Sequence, residues 1–127
     1  MQTRPINAPD APAPMSNYAQ AVEVRGFNRL LLVSGQIPVG ADGAVPTDFE
    51  SQCRLVWANV EAQLRAADMT LDNLIKVTIF LSDRRYNMEN RRIRQEIMGS
   101  RQIALTAIIT GIFDEKWLLE IEAVAAA

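Results

Sequence analysis

A chain of 127 residues, 49% hydrophobic and 22% charged, is sized for one domain around one core. Thirteen Lys and Arg against fifteen Asp and Glu leave a net charge of -2 and a pI near 5.1, so the molecule as a whole does not attract nucleic acid or anionic lipid. One cysteine and no histidine exclude an intrachain disulfide, a Cys/His zinc set and a Ser-His-Asp triad.

Taken in chain order, "MQTRPINAPDAPAP" holds four of the six prolines and predicts an extended arm rather than a helix. Neither a basic-then-apolar leader nor an apolar run of about 18 residues occurs, so a soluble protein of the reducing cytoplasm is expected. Two strands follow, Ala19 to Val24 and Leu30 to Gly35, with Gly26 and Asn28 marking a hairpin turn between them. Thr47 and Glu50 form a T-x-x-E capping box, and a helix is expected to begin near Asp48. Its apolar positions Phe49, Cys53, Val56, Trp57, Val60 and Leu64 step by three and four, opposite Glu50, Arg54, Asn59, Glu61 and Arg65. Cys53 on that stripe reads as core filler, since no basic group in the sequence points at it.

"NLIKVTIFL" is β-branched and alternating, with Ile75, Val77, Ile79 and Leu81 on one face and Lys76, Thr78 and Phe80 on the other. A second helix should run from a cap at Ser82 or Asp83 to a stop at Gly99, with Tyr86, Asn90, Ile93 and Ile97 inward. Asn90 on an apolar stripe is either a structural hydrogen-bonding residue or a site residue. Arg84, Arg85, Arg91, Arg92 and Arg94 lack interleaved aromatics and read as a solvated helix face rather than an RNA surface. "RQIALTAIITGI" and "KWLLEIEAVA", linked by "FDEK", complete the order β-β-α-β-α-β-β, an α+β sheet with two helices on one face.

The last strand carries two acids, Glu120 and Glu122, on the face shared with Leu118 and Val124. With helices on one side, the second face of the sheet is too apolar for open solvent, and self-association is the economical cover. A cleft between subunits would also account for carboxylates in an apolar strand. Arg101, just before a strand, could grip a ligand carboxylate in two parallel hydrogen bonds, or pair with Glu120 or Glu122.

The blocks "APMSNYAQAV", "LLLVSGQIP", "NVEAQLRAADMTLDNLIKVTIFLSD", "MENRRIR", "SRQIALT" and "LLEIEAVA" resemble, in order and spacing, the reactive intermediate deaminases of the RidA/YjgF family. The resemblance implies a chorismate-mutase-like α+β fold in a single domain, residues 1–127, and a homotrimer with clefts between subunits. It further implies hydrolysis of enamines and imines of 2-amino acids to 2-keto acids and ammonia, without metal or organic cofactor. Arg101 matches the arginine that clamps the substrate carboxylate and Glu120 the acid that positions or activates water. Tyr18, Ser34 and Asn90 match residues lining the cleft, and Glu122 is implied to be structural. Four features depart from the family pattern: Ser16-Asn17 for Gly-Pro, Gly99-Ser100 for Pro-Ala, Ile103 for a common cysteine, and a shorter segment between Asn90 and Arg101. The substrate itself stays open, and two other activities are to be weighed: a non-catalytic regulator of the same fold that binds small carboxylates, and a ribonuclease, which the acidic balance and absent histidines disfavour.

Overall fold

The computed structural model describes residues 1–127 and contains six strands and two α-helices, with two short 3-10 turns between them. They are β1 (Gln2–Ile6), β2 (Ala21–Arg25), β3 (Leu30–Gln36), α1 (Phe49–Ala66), β4 (Leu74–Leu81), α2 (Asn87–Met98), β5 (Ala104–Ile109) and β6 (Leu119–Ala126). The main sheet has the order β3-β6-β4-β5. β6 runs antiparallel to both β3 and β4, whereas β4 and β5 are parallel. A parallel pair needs a crossover, and α2 supplies it. In the same way α1 carries the chain from β3 to β4, on the far side of β6.

Both helices lie against one face. Val56, Trp57, Val60 and Leu64 of α1 and Ile93 and Met98 of α2 join Val77, Ile79 and Leu81 of β4 and Leu119, Ile121, Ala123 and Ala125 of β6 in one core. Each large apolar side chain buried there contributes about 1.5–3 kcal/mol. The opposite face carries Lys76, Thr78 and Phe80 of β4, Glu120 and Glu122 of β6, and Leu30 and Leu32 of β3, with Leu32 72% exposed. No helix is long and apolar enough to cross a membrane.

The α+β class and the two-helix layer agree with the sequence expectation, while four local details differ. Residues 2–6 are not a free arm: β1 pairs antiparallel with β2 in a separate two-stranded sheet, Thr3 opposite Val24 and Pro5 opposite Val22. The β2–β3 hairpin is consequently absent, because β2 is already paired with β1 and β3 spends its ladder on β6. The first helix is capped by Asp48, whose carboxylate accepts from Ser51 N at 2.9 Å, rather than by Thr47. In β4 a register break between Leu74 and Lys76 buries Leu74 and leaves Ile75 half-buried. The expected stop at Gly99 is present, with φ 60°, a conformation that glycine adopts without a Cβ penalty.

Candidate functional site

The predicted site residues fall into two groups. On the helix-free face, the ladder between β3 and β6 is broken between Val33 and Gln36, so Ser34 and Gly35 together oppose Glu122. The Glu120 side chain folds over Gly35, where a Cβ would overlap its carboxylate. Gly35 therefore makes room for the acid, and Ser34 is exposed beside it. Glu120 sits across from Phe80 of β4, and Glu122, exposed, across from Thr78.

The second group gathers at the β5 edge. Ala19 donates its N–H to Ile103 O at 2.8 Å and bridges Ala104 in parallel, which holds the Met15–Tyr18 loop against the start of β5. Asn17 adds a side-chain hydrogen bond to Gly99 O at the end of α2. Tyr18, Ser16 and Asn90 then line a cleft of about 140 Å³ floored by Leu105 and Ala107. Met15, Asn87, Arg91 and Arg94 complete its walls; the expectation of a solvated arginine face holds for exposed Arg84, Arg85 and Arg92 and is corrected for half-buried Arg91 and buried Arg94. Arg94 is only 4% exposed. Its Nη2 donates to Ser16 Oγ at 2.8 Å, its Nε has no partner, and none of the ion pairs of the chain includes it or Arg91. Loss of hydration, followed by the neighbouring Arg91 charge, lowers the Arg94 pKa from its ordinary value. The sequence signal that could have found it is its place next to Ile93, at the border of the apolar stripe.

Arg101 is half-buried, is not among the residues that line this cleft, and is already engaged. Its Nε donates to Asp72 at 2.6 Å and its Nη1 to Met98 O at 3.2 Å. The expected alternative pairing with Glu120 or Glu122 is not made; the 3-10 turn Leu71–Asn73 presents a closer acid.

The structure brings Tyr18 and Asn90 together, and Ser34 near Glu120, without uniting the groups in one chain. Tyr18 flanks β5, three strand spacings from β6, which is on the order of 14 Å. Register separates them further, because Ala104 is level with Lys76 and Val124, four residues along β6 from Glu120. Cys53 is absent from both groups: burial pushes its thiol up to about 12, which leaves it protonated and inert. No three His, Cys, Asp or Glu residues converge as a metal-ligand set.

Comparison with known proteins gives the family. A RutC family protein of Haemophilus influenzae is 35% identical over 130 residues, covering 98% of this chain and 98% of that protein. The 2-iminobutanoate/2-iminopropanoate deaminase of Escherichia coli is 34% identical over 82 residues, 64% of this chain and 62% of that enzyme. Among solved structures, the Rid family protein YyfB from Yersinia pestis superposes with a TM-score of 0.85 over 100% of both chains at 24% identity, a likeness of fold. The pattern of the family described as Endoribonuclease L-PSP matches residues 8–127, and with these relatives it establishes that the chain belongs to the RidA/YjgF family.

Proposed function

We propose that the protein is a metal-free hydrolytic deaminase of 2-imino acids and their enamine tautomers, acting in clefts between copies of itself in a homotrimer. The observation that carries the reading is the separation of the two groups, with Ser34 and Glu120 on the β3–β6 side of the sheet and Tyr18 and Asn90 beyond its β5 edge. A cyclic ring repeats the same edge-to-edge contact, so the β3–β6 edge of one copy meets the β5–α2 edge of the next. Ser34 and Glu120 then come from one subunit, and Tyr18, Asn90 and Arg101 from its neighbour. Exposed Leu30 and Leu32 on β3 and Ile108 on β5 are apolar surface that such a contact would cover.

The chemistry asks for orientation more than for a strong nucleophile. Protonation of the enamine carbon gives an iminium; water adds to the carbon that bears nitrogen, and the resulting carbinolamine expels ammonia to leave the 2-keto acid. A guanidinium fixes the substrate carboxylate, the task that family resemblance assigns to Arg101. The Glu120 carboxylate accepts a proton from the attacking water and can return it to the departing nitrogen. Gly35 keeps that carboxylate at the surface of the sheet, where water reaches it.

The test is keto-acid release from freshly generated 2-aminoacrylate or 2-iminobutanoate. The protein should accelerate release over buffer, and Glu120→Gln should lower kcat by about 10²-fold or more while the fold is retained. Absence of acceleration with every small imino acid would overturn the deaminase and leave the second reading, a carboxylate-binding regulator, which the arginine-lined cleft favours on its own.

A further inference from the structure

The helix-free face of the sheet carries two opposite charges that do not use each other. Lys76 of β4 stands opposite Val124 of β6, and Thr78 stands opposite Glu122, so Lys76 and Glu122 are diagonal neighbours on adjacent strands. Such a diagonal spans about 7–8 Å, within reach of a long side chain. The pair is nevertheless not made, and none of the ion pairs of the chain includes either residue. Lys76 turns away from β6 instead, and its Nζ donates to Thr106 Oγ1 on β5 at 2.8 Å. Thr106 is level with Thr78 and so with Glu122, which puts the ammonium and the carboxylate at one height along the strands but on opposite sides of β4. Both residues line one cavity of about 270 Å³, with Leu32 and Val124 in its apolar wall. In a single chain water serves the exposed carboxylate and the two remaining N–H groups of the ammonium. The balance changes when the face is covered, because a cover over Leu32 on β3 and Ile108 on β5 also takes the charges between them out of bulk water. Unpaired there, each charge is strongly destabilising, so the cover has to bring a partner for both signs.

We propose that the cover is a second copy of the chain, and that Lys76 of each subunit pairs with Glu122 of the partner subunit that follows it, closing a ring of six alternating charges around the axis of the trimer. The inference rests on the assembly proposed above and adds the polar contact that holds its interior together. Strand order carries the argument. Cyclic symmetry repeats β3-β6-β4-β5 from copy to copy, so a circuit of the interior meets Glu122 on β6, then Lys76 on β4, then the partner's Glu122, and the signs alternate throughout. The lean of Lys76 toward β5 carries its ammonium away from its own β6 and toward the edge that faces the partner subunit. Each subunit brings one charge of each sign, so the closed ring is neutral and leaves neither sign unpaired. Glu120 is the less suited acid, because it is level with Phe80 rather than with Thr78 and folds over Gly35. Val124 and Leu32 on one side of the charged row, and Phe80 and Ile108 on the other, give the ring apolar neighbours in which a matched pair is strengthened and a mismatch is costly.

Sedimentation of the full-length protein over a dilution series, with urea added until the wild-type trimer half-dissociates, reads the contact directly. Lys76→Met and Glu122→Gln should each raise the concentration of half-dissociation by about tenfold or more, since each strands the opposite charge. The double variant Lys76→Met/Glu122→Gln should return to within about threefold of wild type, because no charge is left unpaired. Glu120→Gln should stay within about threefold of wild type. Both ring residues lie on a face that is open in the single chain, so the variants keep the fold, and far-UV circular dichroism checks this. Mixing separates a contact between copies from one within a chain. Lys76→Glu and Glu122→Lys set like charges at every contact and should each be dissociated alone, whereas a one-to-one mixture should form trimers, since two of the three contacts in a mixed ring then join opposite signs. Singles that assemble like wild type, a double variant no better than the worse single, or a mixture that stays dissociated would each overturn the ring. A wild type that is monomeric without urea overturns the assembly and the ring together, while a wild-type trimer indifferent to Lys76 and Glu122 overturns the ring alone.

Discussion

At the scale of single residues, Gly35 carries the sharpest consequence. Any side chain there meets the Glu120 carboxylate, and the strand cannot yield because it is paired with β6. The flexible end of Glu120 moves instead, so Gly35→Ala should change Tm little while it lowers kcat by about tenfold or more. Calorimetric melting and steady-state rates check the two parts, and a wild-type kcat would sever Glu120 from the reaction. The roles of Gly35 and Arg94 were not legible from residue type. Alternation placed Glu120 on the face away from the core, but only the bulge in β3 shows which residue lies beneath it. Arg94 sits one position beyond Ile93, and whether that border of the helix is wet depends on the Met15–Tyr18 loop, more than seventy residues earlier in the chain.

At the scale of elements, α1 and α2 are tied by four exposed charges. Arg54 contacts Glu50 and Glu96 at 3.0 and 2.7 Å, and Arg92 contacts Glu50 and Glu96 at 3.0 Å each. Hydrogen bonds from these arginines lower the pKa of Glu50 and of Glu96 from the ordinary value of 4.5. A lowered folded-state pKa contributes stability that is fully present above 4.5 and is lost as pH falls through the folded value. Melting temperature should therefore drop with acidification below about pH 4.5, and the drop should be smaller in Glu50→Gln/Glu96→Gln and at high salt. Equal acid sensitivity in the double variant would show that the network contributes nothing. The helices were legible because their apolar stripes are long, but the start of α2 was not: Asp83 caps a separate 3-10 turn, Arg84–Tyr86, and α2 begins only at Asn87. β1 was not, because Gln2–Ile6 has no pattern that distinguishes a strand from an arm until β2 is placed beside it.

At the scale of the whole molecule, the proposed division of the site between neighbouring copies makes a shared-site test possible. Glu120→Gln and Asn90→Leu should each be inactive alone, and a one-to-one mixture, unfolded and refolded together, should recover roughly a quarter of the wild-type activity, since that share of random contacts joins two intact halves. An additive mixture with no recovery would place all the reacting groups in one subunit. Analytical ultracentrifugation of the wild type checks the companion expectation: a trimer in the active preparation supports the proposed assembly, and a monomer overturns it.

The sequence by itself determined the two helices, the strands other than β1, the core stripe of α1, the family and the residue types able to handle a small acid. These are properties of local periodicity and of motifs that travel intact along the chain. Tertiary structure alone decided which arginine is buried and outside every ion pair, which glycine yields space to Glu120, and that Tyr18 lies beyond the β5 edge while Glu120 sits on interior β6. Those facts come from pairings between segments far apart in sequence, and in such pairings a side chain's exposure is set by what covers it rather than by its own neighbours in the chain.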